Sequence, residues 1–415
     1  MKLQDEFFDV IVIGGGASGM MAGLTASMNG KKTIILEKNK TLGEKLKITG
    51  GGRCNITNAE YDERVFMKNY GEAESFLYSP FSQFGVEETF KFFESRGLPL
   101  MVQARKRAFP KSEKAPDVFR FFEREMKIHK VFIKPSCAVK KINCEKGEVF
   151  NVETTQGVFK GKSYILATGG VSHPETGSTG DGFKWLQKLG HTVKEPTPTI
   201  VPLAVEEEWV KSLPGVSLTF MKITFYLDGK KQFWRKGKIL FTHFGLSGPL
   251  ILNIAGEIGG LLQSGKVTAV IDAYPDTDLG GMEDNILRVF NANKNKTLKT
   301  VFKDITPEGT SPAIQALLPD INFETKVHSV TKEERKKISQ LLKSLPVTIT
   351  HLMGYDRAVV ADGGVSLKEI DTRTMRSKVL KNLYITGDLL DINRPSGGYS
   401  LQLCWTTGFV AGSNA

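Results

Sequence analysis

The chain has few of the residues that cross-link or metallate a protein. Four cysteines, Cys54, Cys137, Cys144 and Cys404, are spread over 415 residues, and no two form a Cys-x-x-Cys pair. That excludes a disulfide framework and a thiolate zinc centre. The six histidines are scattered, with no two at ligand spacing on a helix, so no metal is expected. Long hydrophobic runs are missing too. Pro249–Leu262 is the longest late stretch; it contains Glu257 and falls short of the roughly 20 residues a membrane helix needs. No basic n-region precedes the apolar run Val10–Ile13, which reads as a strand. A soluble, cytoplasmic protein without membrane contact is expected.

Acid is in short supply. Lys and Arg number 56 against 45 Asp and Glu, a formal net charge of +11. Such a balance can mean nucleic acid. No nucleic-acid motif accompanies it. The runs Lys38–Lys47, Arg105–Lys114, Lys222–Lys238 and Lys332–Lys343 each contain an acid, and Lys294–Lys303 is followed directly by Asp304. They read as solvated faces that also steer anionic ligands.

What is present is a nucleotide fingerprint. The apolar run from Phe8 ends in Gly14-x-Gly16-x-x-Gly19, a helical stretch follows, and a second apolar run, Ile34–Leu36, ends in Glu37. Each part has a task in a βαβ unit. Gly14 permits the tight turn, Gly16 lets a pyrophosphate approach, and Gly19 lets the helix pack close. The helix N-terminus, opening at Ala17 and Ser18, offers N–H groups to phosphates. Glu37 accepts from ribose hydroxyls and repels a 2′-phosphate.

The pattern further along suggests a nested organisation. A dinucleotide-binding domain is expected over 1–190 and 349–415, with an inserted domain, part strand and part helix, over 191–348. Helices are expected at Val86–Arg96 and Pro116–His129, their phenylalanines packing a core. An antiparallel meander is expected over Val131–Ile142, Val149–Thr154 and Val158–Phe159, and a linker at Glu195–Pro198. Asn285–Ala292 and Arg335–Leu345 read as polar-faced helices. Asp181 reads as the cap of a helix over Gly182–Leu189.

A second motif set bears on which dinucleotide is bound. Leu383–Thr386 ends in Gly387-Asp388, where an acid suits a hydroxyl-rich ribityl chain. A helix opening near Gly398–Leu401 offers a positive end to a flavin's N1/C2=O edge. Together with Gly50-Gly-Gly-Arg-Cys-Asn55, Ala167-Thr-Gly-Gly170, Thr179-Gly-Asp-Gly182 and Gly397-Gly-Tyr-Ser-Leu-Gln402, the chain resembles the BaiN/YhiN-like flavoproteins, which include aminoacetone oxidase-like members. The likeness runs nearly end to end and takes in Phe109–Ala115, Ile239–Pro249 and Gly363–Asp371.

The resemblance implies an α/β fold: a Rossmann-type FAD domain of the two-dinucleotide kind with an inserted β-barrel and helical domain. It implies a cofactor set of Gly14, Gly16, Ala17, Ser18 and Gly19 at the pyrophosphate, and Glu37 and Lys38 near the ribose. Lys45, Thr49, Gly50, Gly51, Gly52, Arg53, Cys54 and Asn55 wrap the pyrophosphate and approach the ring. Val139, Ala167, Thr168 and Gly169 line the adenosine side. Gly387 and Asp388 meet the ribityl chain, and Gly398, Tyr399, Ser400, Leu401 and Gln402 the pyrimidine edge. Asp388 stands where the pattern has Glu, and Ser400 where it has Asn. The glycine loop carries no histidine for covalent attachment, so FAD is expected to be non-covalent.

The implied activity is oxidoreduction of a small molecule bound between the FAD domain and the insert, by hydride transfer to or from the flavin. Amine or amino-ketone oxidation competes with C=C reduction. Arg53, His243, Arg394 and Tyr399 are the candidate catalytic groups. No second GxGxxG occurs, which argues against a dedicated NAD(P) domain; NAD(P)H remains a transient donor and oxygen an acceptor. The rival reading is a FAD-binding redox sensor, or an RNA- or protein-interacting flavoprotein, without turnover. The substrate, the direction of reaction and the oligomeric state are not legible.

Overall fold

The computed structural model describes residues 6–415. The chain forms two compact units: one runs up to Thr197 and resumes at Val359–Ala415, and the other is Pro198–Ala358.

The first unit is built on strands β1 (Phe7–Ile13), β2 (Thr33–Leu36), β3 (Phe132–Lys134), β4 (Val139–Glu145), β5 (Glu148–Thr154), β6 (Gly157–Leu166) and β7 (Leu383–Ile385). Helix α1 (Ala17–Met28) joins β1 to β2, and α2 (Tyr399–Asn414) closes the chain. The sheet order is β3-β2-β1-β6-β5-β4, with β7 also on β6. β1, β2, β3, β6 and β7 pair in parallel, whereas β4, β5 and β6 form an antiparallel meander. Parallel strands are covered on both faces. Accordingly all four residues of β2 and all three of β7 are buried. Ile13 lies opposite both Leu36 and Leu166, and Ile385 opposite Leu166. Four parallel strands thus end level, and the loops leaving them share one edge, where open α/β sheets bind ligands.

Helices α1 and α2 pack closely because their facing positions are glycine. A Cβ on Gly408 would lie 2.5 Å from the Ser18 carbonyl oxygen, and one on Gly412 2.3 Å from that of Ala22. Helices Val86–Glu94 and Ala115–Ile128 bring Phe92, Phe93, Phe121 and Phe122 together, and Phe122 stacks on Trp405 of α2 at 5.4 Å. A small antiparallel sheet of Thr57–Asn58, Arg107–Pro110 and Leu100–Gln103 adjoins them in sequence.

The second unit is a closed barrel of Leu203–Val205, Gly245–Ser247, Lys230–Thr242, Ser217–Leu227, Val267–Asp272 and Leu345–Leu352, in that order. Helices Pro249–Leu262, Leu279–Ala292 and Lys332–Lys343 accompany it around a core that includes Phe225, Phe241 and Ile338. Among the described residues no helix is long and apolar enough to cross a membrane.

Several local expectations change. Val131–Ile142 is not one strand: its first part is β3, a parallel edge strand on β2, and only its end enters the meander. Glu195–Pro198 lies inside a strand, Val193–Ile200, paired with Val360–Val365. A two-stranded ribbon consists only of edges, where proline removes no shared ladder bond. The compact insert therefore begins at Pro198 rather than 191. It ends at Ala358 rather than 348, because the last barrel strand runs to Leu352 and Ala358 is buried with Val201 and Ala255. The helix expected over Arg335–Leu345 covers Lys332–Lys343, and Leu345 starts that strand.

Candidate flavin site

The first glycine turn is close-packed on one side and open on the other. Gly14 has φ +104°, and a Cβ there would sit 2.5 Å from the Ala167 carbonyl oxygen. One on Gly19 would sit 1.9 Å from the Gly14 carbonyl oxygen, so α1 cannot start this close to β1 with a side chain in that place. A Cβ on Gly16 would meet nothing within 4 Å. The open position is the N-cap of α1, beside its free N–H groups, which is where a phosphate belongs.

Glu37 is tied to this turn. Its buried carboxylate accepts from the Gly15 N–H at 2.7 Å and the Asn39 N–H at 2.7 Å. Burial pushes its pKa above the ordinary value, against the opposing pull of those donors. A carboxylate has about four acceptor sites, so capacity remains for ribose hydroxyls. Val139 opens β4, and the Cys137 N–H donates to the Glu37 carbonyl at 2.8 Å, which brings that segment to the same end. Lys38 is already engaged, donating to Thr179 Oγ1 at 2.6 Å and Asp181 Oδ2 at 3.1 Å. Asp181 is accordingly an ion-pair partner, not a side-chain cap; Gly180 takes the N-cap position.

The second loop presents backbone. Gly50, Gly51 and Gly52 have φ of +64°, +67° and +82°, and a Cβ on Gly51 or Gly52 would meet nothing within 4 Å. The Cys54 N–H closes the loop on the Thr49 carbonyl at 2.9 Å, and the Ala115 N–H ties it to Gly52 at 2.8 Å. Cys54 is buried, and burial pushes its thiol far above the usual range, so it fills space rather than reacting.

Three buried polar atoms in these loops lack hydrogen-bond partners: Lys45 Nζ, Asn55 Oδ1 and Thr168 Oγ1. Buried polar groups are ordinarily paired. One cation, one acceptor and one hydroxyl without a hydrogen bond fit the phosphates and hydroxyls of a dinucleotide. Lys45 Nζ also lies 3.7 Å from Asp388 Oδ2.

The C-terminal loops complete the site. Gly387 donates its N–H to Thr407 Oγ1 at 3.0 Å, and Thr386 Oγ1 donates to Ser18 Oγ at 3.2 Å. These bonds, for which the sequence carries no pattern, fix the end of β7 against α1 and α2. Gly398, the N-cap of α2, has φ +107°, and a Cβ there would lie 2.3 Å from the Thr57 carbonyl carbon. Tyr399 is half-buried against Phe66 at 4.9 Å and Tyr70 at 6.0 Å, and burial raises its pKa, so the hydroxyl stays protonated. Leu401 is buried beneath it.

Two expected site residues have other tasks. Arg394 does not present a free fork to solvent: its side chain is 1% exposed and ion-paired with Asp388. Its Nη1 donates to the Ile392 carbonyl at 2.7 Å and its Nε to Ser400 Oγ at 3.1 Å. Burial pushes the Asp388 carboxyl up, but Arg394 and Lys45 outweigh it and hold the pKa below the ordinary value. Gln402 is fully buried, accepts from Thr57 Oγ1 at 2.6 Å and Thr89 Oγ1 at 3.0 Å, and donates to the Gly85 carbonyl and Thr406 Oγ1, each at 3.1 Å. Its amide is saturated and welds α2 to the small sheet. Arg53 lies 4.5 Å over the Phe109 ring and pairs with Glu113 at 3.0 Å. His243 belongs to the other unit, exposed on the barrel turn and edge-on to Phe244 at 5.0 Å, not packed inside the barrel. Asn58, to which the sequence assigned no role, donates to the carbonyls of Arg105 at 3.2 Å and Gly397 at 3.3 Å.

A parallel sheet with a glycine turn after its first strand, a buried acid after its second, and a strand and helix returning from the C-terminus is the frame of a FAD-dependent oxidoreductase. A profile described as the HI0933-like protein Rossmann domain matches residues 8–414. The chain belongs to this HI0933-like family, whose characterised members are enzymes. It is 30% identical to the 3-dehydro-bile acid delta(4,6)-reductase of Clostridium scindens, covering 97% of this chain and 98% of that one. It is 25% identical to the ribosomal RNA dihydrouridine synthase of Escherichia coli, covering 98% and 97%. Among solved structures, a flavocytochrome c3 fumarate reductase shares the fold with TM-score 0.51 at 16% identity, covering 99% of this chain and 78% of that one.

Proposed function

We propose that this flavoprotein reduces a carbon–carbon double bond conjugated to a carbonyl, using non-covalent FAD recharged by a reduced nicotinamide nucleotide. The observation that carries the reading is the full-length likeness to a delta(4,6)-reductase, joined by a second full-length relative called a dihydrouridine synthase. Both names denote saturation of a C=C bond. Amine oxidation finds no such support.

FAD, when bound, supplies the hydride. The chain's own residues do the rest. Gly16, Gly51, Gly52, Lys45, Asn55 and Thr168 hold the phosphates and hydroxyls, and Glu37 holds the ribose. Asp388, kept ionised by Arg394, orients the ribityl chain. The N-terminus of α2 and its Gly398 amide favour negative charge at the pyrimidine edge. Tyr399, protonated and half-buried, donates a proton to the substrate, and Arg53 orients its carbonyl.

The test is anaerobic. NADPH or NADH should bleach the yellow protein, and a conjugated dienone, such as a 4,6-dien-3-one steroid, should restore the colour with one C=C bond saturated, giving one mole of the mono-enone, per mole of flavin reoxidised. Tyr399→Phe should slow reoxidation by about 10²-fold or more and leave bleaching intact. Peroxide formation on an amine panel, with no enone restoring the colour, would overturn the reading. Acid precipitation should release intact FAD; flavin retained on the pellet would disprove non-covalent binding.

A further inference from the structure

Cations outnumber carboxylates on the small sheet beside the Gly397–Tyr399 turn. Between Leu100–Gln103 and Arg107–Pro110 the chain makes a short turn, Ala104–Lys106. Arg105 and Lys106 both lie in the left-handed region, with φ +61° and +56°. Two consecutive long side chains in that region are strained, and such strain persists only where the surroundings fix it. Here they do. Asn58 bridges the Arg105 and Gly397 carbonyls, the Ala59 N–H donates to the Lys106 carbonyl at 2.6 Å, and Arg107 Nε donates to the Ala104 carbonyl at 3.2 Å. The basic turn is thereby pinned to the flavin end of the site.

The charges there are unequally matched. Arg53 pairs with Glu113, and Lys106 with Glu60. Arg105 and Arg107 have no carboxylate in ion-pair distance among the described residues, although Arg53 and Arg107 approach the same Phe109 ring at 4.5 and 5.9 Å. Burial, and then the charges of Arg53 and Arg105, lower the Arg107 pKa below its ordinary value. Cations crowded without a counter-charge, on a rigid turn, await an anion.

We propose that Arg105 and Arg107 form an anion site at the flavin end that takes the phosphate groups of a nucleotide. Guanidinium forks match phosphate oxygens in pairs. The proposed reduction needs a dinucleotide donor, yet the chain has one GxGxxG only, which that proposal gives to FAD, so a donor's phosphates call for other groups. The inference rests on that reading of the function. A nucleotide phosphate has two sources here, a free nicotinamide dinucleotide or an RNA strand, and both meet the same two forks.

The experiment uses the FAD-loaded protein and the double variant Arg105→Ala/Arg107→Ala. Lys140→Ala/Lys141→Ala, on an exposed part of β4, is the control of equal charge change. Flavin absorbance is read first, then dissociation constants for NADPH and for a ten-nucleotide oligouridylate. One probe should bind the wild type and bind the arginine variant about tenfold more weakly, with the control unchanged. The limiting rate of flavin reduction should stay within about twofold, a split expected of a docking site rather than of a damaged fold. Loss confined to NADPH identifies the dinucleotide, and loss confined to oligouridylate identifies RNA. Neither probe binding at about 1 mM, or equal binding to wild type and variant, overturns the site. Wild-type protein that holds no FAD would instead overturn the functional reading.

Discussion

The two units bury different things. In the insert, the buried polar side chains are the four hydroxyls of Thr224, Thr306, Thr310 and Ser339, and none is charged. In the FAD unit Glu37, Glu125, His191 and Arg394 are buried, and so are the four buried polar side-chain atoms that lack a hydrogen bond among the described residues: Thr25 Oγ1, Lys45 Nζ, Asn55 Oδ1 and Thr168 Oγ1. A barrel closed on itself satisfies its backbone and fills its interior with apolar side chains. A cofactor unit keeps polar groups in reserve for a ligand and bears the cost of their desolvation until it arrives. Both units have a hydrophobic core, but only the FAD unit adds to it buried charges and polar atoms without a hydrogen bond.

Glycine gives the largest contrast. Gly19→Ala drives a methyl into the Gly14 carbonyl and should cost more than about 3 kcal/mol and abolish FAD binding. Gly260→Ala, exposed in the barrel unit's helix with nothing within 4 Å, should stabilise by about 0.5–1 kcal/mol. Urea unfolding followed in both variants checks the pair, and equal losses would deny the close approach at Gly19.

Ion pairs come next. Arg394→Ala strands Asp388 beside Lys45 and should destabilise by about 3 kcal/mol, with weakened FAD binding. Arg235→Ala breaks the exposed pair with Glu257, 3.0 Å apart, and should cost about 0–1 kcal/mol. Comparable midpoints for the two would make Arg394 a surface-like charge despite its burial.

Hydroxyls should then separate reserve from structure. Thr306 Oγ1 donates to the Phe302 carbonyl at 2.9 Å, so Thr306→Val should lose about 1 kcal/mol of stability. Thr168 has no partner to lose. Thr168→Val should leave the FAD-free protein as stable or more so, and raise the FAD dissociation constant by about five- to tenfold. Titration of the apoprotein reads this directly, and an unchanged FAD affinity would leave Thr168 without a ligand.

The smallest effect is in pH. The folded Asp388 pKa lies below its ordinary value, through Arg394 and Lys45 working against burial. A lowered carboxyl pKa means that the unfolded state binds the proton more readily. Its stabilisation is complete above the ordinary carboxylate pKa, near 4, and is lost as pH falls through the lower folded value. Asp388→Asn should lack this contribution and show a flatter acid limb of stability; an unaltered limb would remove the charge coupling.

Some of this was written in contiguous residues. Gly14-x-Gly16-x-x-Gly19 and Gly50–Gly52 are requirements of the local backbone: Gly14, Gly50, Gly51 and Gly52 all have positive φ, and the Gly15 N–H donates to Glu37. Helical spacing marked Phe119, Phe122 and Met126 as core; Phe122 and Met126 are buried, and Phe119 is half-buried against the same cluster. The strand at Glu195–Pro198 was not, since whether proline breaks a ladder depends on what lies alongside.

By itself, then, the sequence determined that a Rossmann-type glycine turn lies near the N-terminus, that the first unit is interrupted by an insert, and that the C-terminal strand and helix return to it. Turn geometry and strand period act over a few residues, so short motifs specify them. The tertiary structure alone decided that Arg394 neutralises Asp388, that Gln402 is a buried weld and that Asn58 pins a basic turn to Gly397. In each case the deciding quantity is burial or a hydrogen-bond partner supplied by a different part of the fold, and a side chain's chemistry does not state whether water or another residue will satisfy it.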